Sequence, residues 1–194
     1  MEGLLAVLSE KDELLRGWIT SWRHPSLNSF ALLITYLGEW GLIWLVLGTL
    51  LLSFHSKLAS GLWRMILALC LTAFMSNVLL KPAVARPRPF TVIEELEVIG
   101  HRPETFSFPS GHAAEAFAGA YALTQLYRRA RWSSFTLASL IALSRIYIGV
   151  HYPLDVIFGS LIGLGCSHFV VGTNIPAMFA RPKKPCASIP ELEE

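Results

Sequence analysis

SRIYIGVHYPLD, residues 144–155, places an arginine, a histidine and an aspartate together at the end of an apolar run. An unpaired cation at membrane depth is expensive, roughly 2.5–3.5 kcal/mol for a helix-centre arginine on insertion scales. Arg145 therefore calls for an anion. In the same stretch Pro153 suits a first helical turn. From there Asp155 can reach back toward His151 and fix its tautomer. Two further clusters break the apolar pattern. KPAVARPRP (81–89) carries Lys81 and Arg88, and FPSGHAAE (108–115) carries Ser110, Gly111 and His112. Ser110 is placed to cap a helix N-terminus after Pro109. Gly111 lets backbone N–H groups come close to a ligand, and a helix N-terminus attracts anions. The arginine fork matches phosphate oxygens, and His112 is a second imidazole available as a general acid. Each cluster has a use for phosphate.

The other polar residues have plainer readings. Arg86 and Arg102 read as interfacial anchors, and His24, His55, His101 and His168 as satisfied interfacial residues. Glu39 and Glu115 lie within apolar runs as bundle hydrogen-bonders, with a supporting role at the site open to Glu115, one turn after Gly111. A serine hydrolase built on Ser110 is disfavoured because GxSxG is absent and the cations outnumber what a neutral ester needs. No HxxxH or carboxylate cluster suggests a metal, and no cofactor is expected.

The elements that must position these residues follow from composition. Of 194 residues, 53% are hydrophobic and 15% charged, and mean hydropathy is +0.49, whereas soluble domains carry about 25% charged residues. The net charge of +2 gives no reason to expect nucleic acid as a partner. Three cysteines without CxxC spacing argue against a disulfide framework or a zinc site. MEGLLAVLSE lacks a basic n-region and a cleavage site, so no signal peptide is expected. The fold expected is all-α, a polytopic membrane helix bundle of about five transmembrane helices. The spans run from Leu27 to Phe54, Leu58 to Leu80, Gly111 to Tyr127, Ser133 to Val150 and Pro153 to Val171. The third and fourth are short and polar, and are expected inside the bundle. Residues 1–23 form an N-terminal amphipathic helix with Leu4, Leu8, Leu15, Trp18 and Trp22 on one stripe and Glu10, Asp12, Glu13 and Arg16 off it. Such a helix either lies in the membrane interface or packs on the bundle. Residues 24–175 form the membrane core, and 176–194 a flexible cytoplasmic tail. Lys57, Arg64, Arg128, Arg129, Arg131, Arg181, Lys183 and Lys184 mark one membrane side as cytoplasmic. With alternating helices, all three polar clusters fall on the opposite, extracytoplasmic face.

Together the clusters resemble the three-part signature of the type 2 phosphatidic acid phosphatase superfamily. Lys81, six residues, then Arg88 and Pro89 match its first part, and Pro109-Ser110-Gly111-His112 its second. Ser144-Arg145, five residues, His151, three residues and Asp155 match its third. The resemblance covers roughly Leu58 to Val171. It implies a metal-independent phosphatase in which His151 is the nucleophile and forms a phosphohistidine. Asp155 would orient His151, and His112 would protonate the leaving group. Lys81, Arg88, Ser110, Gly111 and Arg145 would hold the phosphate oxygens. Soluble acid phosphatases and vanadate-dependent haloperoxidases share the signature, but the spans point to the membrane members. These act on phosphatidic acid, phosphatidylglycerol phosphate, isoprenyl diphosphates such as undecaprenyl diphosphate, or lipid A phosphates. The short length and minimal loops suggest a bacterial cell (inner) membrane. A lipid phosphotransferase using the same intermediate, or a non-catalytic lipid-binding or transport protein, would carry the same scaffold. The oligomeric state is not legible.

Overall fold

The computed structural model describes residues 2–54 and 59–172, all helix and connection. Helix α1 spans Glu2–Thr20. Helix α2 (Pro25–Leu37) begins with proline in its first turn, and the His24 ring accepts the Ser26 N–H. Its chain breaks at Gly38. A single 3₁₀ turn follows, in which Trp40 and Gly41 adopt left-handed backbone angles (φ 55° and 65°). Helix α3 (Leu42–Phe54) then leaves in a new direction. The first expected span is thus two helices bent by 49°. Gly38 belongs at this break because a Cβ there would strike Ile141.

Helix α4 (Ala59–Ala73) runs into a π-helical stretch, Phe74–Leu80, and then α5 (Lys81–Val84). Ala85, left-handed at φ 49°, stops that helix before α6 (Pro89–Val92). After a long loop come α7 (Gly111–Leu126), α8 (Arg131–Tyr147) and α9 (Pro153–Gly172).

Helix α7 is the axis of the bundle and packs on α9, α8 and α4. Its sequence explains this position. Ala113, Ala114, Ala116, Ala118 and Ala120 are fully buried, so neighbouring backbones can approach closely. On α9, Gly159 and Gly163 lie so near that a Cβ would collide with the backbone of Ser110 and Ala114 respectively. This is small-residue packing of the kind that joins membrane helices, where lipid gives no hydrophobic incentive to associate. Trp44 from α3 fills the space left by Gly119. Leucines and isoleucines face outward instead: Leu42, Val46 and Leu50 on α3, and Ile157, Phe158 and Leu161 on α9. That pattern suits a bilayer as the surrounding solvent.

Among the described residues two segments, Gly61–Val92 and Pro153–Gly172, are long and apolar enough to cross a membrane, and the bent pair Pro25–Leu37 and Glu39–Leu51 makes a third if it is one span. Helices α7 and α8, at 16 and 17 residues, fall short of that length. Helix α7 lies inside the bundle as expected, but α8 does not. Only one face of α8 is covered (Ala138, Ile141, Ala142, Arg145), while Leu140 and Leu143 are exposed on the other.

Helix α1 packs on α8 and α9 in a way its pattern argues against. Asp12 and Arg16 are buried, while Leu15, Trp18 and Trp22 are exposed. The helix does pack on the bundle, as one of the two expectations had it, but by its polar face. The polar face finds charged and backbone partners on the protein, and the apolar face points away. The proposed tail from 176 lies outside the described residues, as does His55.

Candidate active site

The three polar clusters meet at one end of the bundle. The π-helical stretch and α5 bring Lys81, the segment before α6 brings Arg88, and the α7 N-terminus brings Gly111 and His112. The α8 C-terminus and the α8–α9 connection bring Arg145 and His151. These six line one cavity of about 570 Å³, together with Glu39, Asn77, Thr105 and Glu115 among others. Ser110 and Asp155 are fully buried behind it.

His151 is almost fully buried. Its Nδ1 lies 3.6 Å from Asp155 Oδ2. The Ser107 hydroxyl sits between them, 2.5 Å from Oδ2 and 3.4 Å from Nδ1. Asp155 Oδ2 also accepts the Tyr152 N–H at 3.0 Å, and Oδ1 accepts from Arg86 at 2.6 Å. With Nδ1 on the carboxylate side, the lone pair falls on Nε2, 3.4 Å from Arg88. Burial holds the His151 pKa well below the ordinary imidazole value, with Arg88 and Arg145 adding to the effect and Asp155 opposing it. A neutral, oriented imidazole is the form that attacks phosphorus.

The cations are held differently from one another. Arg88 is buried and donates to the Thr105 carbonyl (2.5 Å), the Thr105 hydroxyl (3.1 Å) and the Val150 carbonyl (2.9 Å). Lys81 donates to Asn77 Oδ1 at 2.8 Å, and Asn77 donates to Glu115 at 3.5 Å. The π-helical stretch that contains Asn77 is a distortion often found at functional sites. Arg145 has no such support. It is buried, its Nε has no hydrogen-bond partner, and among the described residues no carboxylate pairs with it. Ser110 caps α7 by accepting the Ala113 N–H (3.4 Å), and its own N–H donates to the Asp155 carbonyl (3.0 Å). Its hydroxyl is not part of the cavity wall. Half-buried His112 is.

Arg86 is not an interfacial anchor. Its two terminal nitrogens bridge Asp155 (2.6 Å) and Asp12 (2.7 Å), and its guanidinium lies over the Tyr152 ring at 4.0 Å. The short Ala85 left-handed turn directs it inward, where a buried carboxylate needs a counter-ion. Arg102 is exposed and lies near the Phe90 ring. His101 lines the cavity, His24 caps α2, and His168 hydrogen-bonds Tyr121 at 2.8 Å. Sequence reasoning missed Ser107, Thr105, Asn77 and Asp12. Only Asn77 had a signal, one helical turn before Lys81. Among the described residues no group of three His, Cys, Asp or Glu could hold a metal ion.

A helical membrane chain with this gathering of histidines and cations at one bundle end defines a class, and the match to it is direct. The chain belongs to the PAP2 superfamily, whose family model matches residues 61–175. It is 31% identical over 134 residues to an undecaprenyl-diphosphatase of Sulfolobus acidocaldarius, covering 68% of this chain and 64% of that protein. It is 38% identical over 128 residues to a lipid A 4'-phosphatase of Bacteroides thetaiotaomicron, covering 61% of this chain and 56% of that one. The chain thus spans less than two thirds of the length of these curated relatives. Two crystal structures match more fully. LpxE of Aquifex aeolicus is 34% identical with a TM-score of 0.71, covering 82% of this chain and 93% of that chain. A PAP2-type phosphatidylglycerolphosphate phosphatase of Bacillus subtilis is 26% identical with a TM-score of 0.72, covering 91% and 90%.

Proposed function

We propose that the protein is an integral-membrane lipid phosphatase that removes a phosphate from a lipid monoester or diphosphate through a phosphohistidine on His151. The observation that carries this reading is Arg145, a buried cation on the cavity wall that makes no ion pair among the described residues, with Glu39 across the cavity as its favourable carboxylate. A substrate phosphate supplies the paired anion. In the first step His151 Nε2 attacks phosphorus, a P–N bond forms, and the P–O bond to the lipid breaks. The departing oxygen takes a proton from His112. Water then attacks the phosphohistidine and gives its proton to the now neutral His112. The P–N bond breaks, and inorganic phosphate leaves. Lys81, Arg88, Arg145 and the backbone at Gly111 carry the oxygen charge, with Ser110 shaping the turn that presents it. No step requires a metal.

The names of the relatives support lipid phosphates as the substrate class: undecaprenyl diphosphate, lipid A phosphate and phosphatidylglycerol phosphate. We place all five expected helices across the cell membrane, with α7 short because protein surrounds it. The site then opens on the extracytoplasmic side, away from Arg64 and Arg128–Arg131. In a cysteine-free background, a cysteine introduced between 90 and 104 reacts with impermeant maleimide in intact cells. Labelling only by permeant reagent reverses the orientation.

The test of function is phosphate release from phosphatidic acid, phosphatidylglycerol phosphate, undecaprenyl diphosphate and lipid A, each in excess chelator. Release from at least one is expected. Transfer of phosphate to a second lipid without release makes the protein a phosphotransferase instead.

A further inference from the structure

The α1 helix enters the site from behind. Asp12 is buried, although a carboxylate on an amphipathic helix ordinarily faces water. Its two oxygens are both in use. Oδ2 accepts from Arg86 at 2.7 Å, and Oδ1 accepts the Leu154 N–H at 2.8 Å. Leu154 lies in the first turn of α9, whose N–H groups have no partner inside their own helix. The residue before Pro153 is Tyr152, which has no carboxylate or short hydroxyl with which to cap that turn. Asp12 therefore caps α9 from another helix. The next residue along α9 is Asp155. Arg86 is divided between the two carboxylates, one terminal nitrogen on each, and Tyr152 closes the face of its guanidinium. In the connection after α1, Arg23 donates to the carbonyls of Tyr147 (3.0 Å) at the end of α8 and Glu97 (2.6 Å) in the long loop, tying that connection to both.

We infer that Asp12 is a positioning residue for the phosphatase reaction. It sets Asp155 twice, through Arg86 from the side-chain end and through the Leu154 N–H from the backbone end, and so sets His151. This rests on the reading of His151 and Asp155 given above. Asp12 touches neither substrate nor the reacting atoms. Burial raises its own pKa, and the contacts with Leu154 and Arg86 oppose that rise.

The test compares Asp12→Asn, Asp155→Asn and the double variant in phosphate release. Asp12→Asn keeps the shape and an acceptor for Leu154 but loses the charge that divides Arg86. It is expected to lower kcat about tenfold, the lower end of what loss of an outer partner costs an oriented histidine, with KM within about twofold. In the Asp155→Asn background it is expected to add nothing further, because residues acting through one group are not additive. Asp12→Ser, which drops the carboxylate, provides a second route to the same readings should the amide variant fail to fold. Full kcat in a folded Asp12 variant overturns the inference. So does a loss that multiplies unchanged in the Asp155→Asn background, since that marks a structural role. Wild-type kcat in Asp155→Asn alone overturns the phosphohistidine reading itself, and is distinguishable from either.

Discussion

The α7–α9 pair and helix α1 use opposite strategies to build one site. The pair is joined by small residues, with Gly159 and Gly163 against the α7 backbone. Its buried carboxylate, Asp155, sits where a counter-ion explains it. Helix α1 is joined by charge. Asp12 is buried against α9, Arg16 is buried beside Glu13, and the aromatic side chains point away. The difference shows what an amphipathic pattern would mean were α1 at the bilayer boundary, the placement tested below. In water the apolar stripe of a helix is the docking face. At a bilayer boundary lipid accepts that stripe, and the polar face is left to find protein.

The largest expected effects test the motif-bearing half. His151→Ala is expected to abolish turnover, because the proposed phosphoenzyme forms on its Nε2, the nitrogen left free by the Asp155 side of the ring. His112→Ala removes only proton donation, worth typically about 10²–10⁴-fold. With a good leaving group that variant is expected still to form phosphoenzyme slowly, read by acid-quench trapping of labelled phosphate. Acid-labile phosphoenzyme in the His151 variant removes His151 as the nucleophile.

Arg145 is next. Charge-assisted hydrogen bonds contribute roughly 1.5–3 kcal/mol each. Arg145→Lys keeps the charge but loses the fork, so activity is expected to fall at least about tenfold, since 1.4 kcal/mol is a factor of ten. Arg145→Leu is expected to be inactive but no less stable without ligand, because a buried cation without an ion-pair partner is removed. Vanadate then raises the melting temperature of the wild type in detergent and not that of the Leu variant. A Leu variant that melts well below the wild type without ligand makes Arg145 a structural residue instead, with a partner on the protein.

The two halves also differ in what their sequences disclose. The site in the α7–α9 half was legible because its residues are locally improbable. An arginine and an aspartate in apolar runs, and PSGH at a helix start, each violate the surrounding pattern. The helices themselves were legible from apolar length, and the break at Gly38 was not. Glycine and tryptophan within a long apolar run are compatible with a continuous helix, and the left-handed angles at Trp40 and Gly41 that break it leave no mark in that run. Arg86 was misread because a cation after a span is ordinarily solvated. Its carboxylates, Asp155 and Asp12, lie 69 and 74 residues away along the chain. Ser107 and Asn77 are ordinary residues made important by position. For Asp12, the pattern itself misled. It lies off the apolar stripe, which in water means exposure, whereas here that face docks.

The smallest effect tests the outward face of α1. Trp18 and Trp22 stack edge to face at 4.4 Å and are more than half exposed, at 55% and 58%. If the bilayer boundary is their surrounding, replacing both with serine removes anchoring without touching Asp12. Tryptophan is favoured at that depth because its ring is apolar and its N–H polar. In detergent the Trp18→Ser/Trp22→Ser variant is expected to keep kcat within about twofold, as surface changes away from packed features usually cost less than about 0.5 kcal/mol. In nanodiscs the wild-type tryptophan emission is expected to be quenched more by lipids brominated near the headgroup than by aqueous iodide, with that difference reduced in the double variant. Equal quenching by iodide puts the α1 aromatics in water, and the interface assignment fails. A large loss of kcat in detergent contradicts the comparison more directly, because the outward face would then also serve the site, and the division of α1 into a docked polar face and a lipid-facing apolar one would not hold.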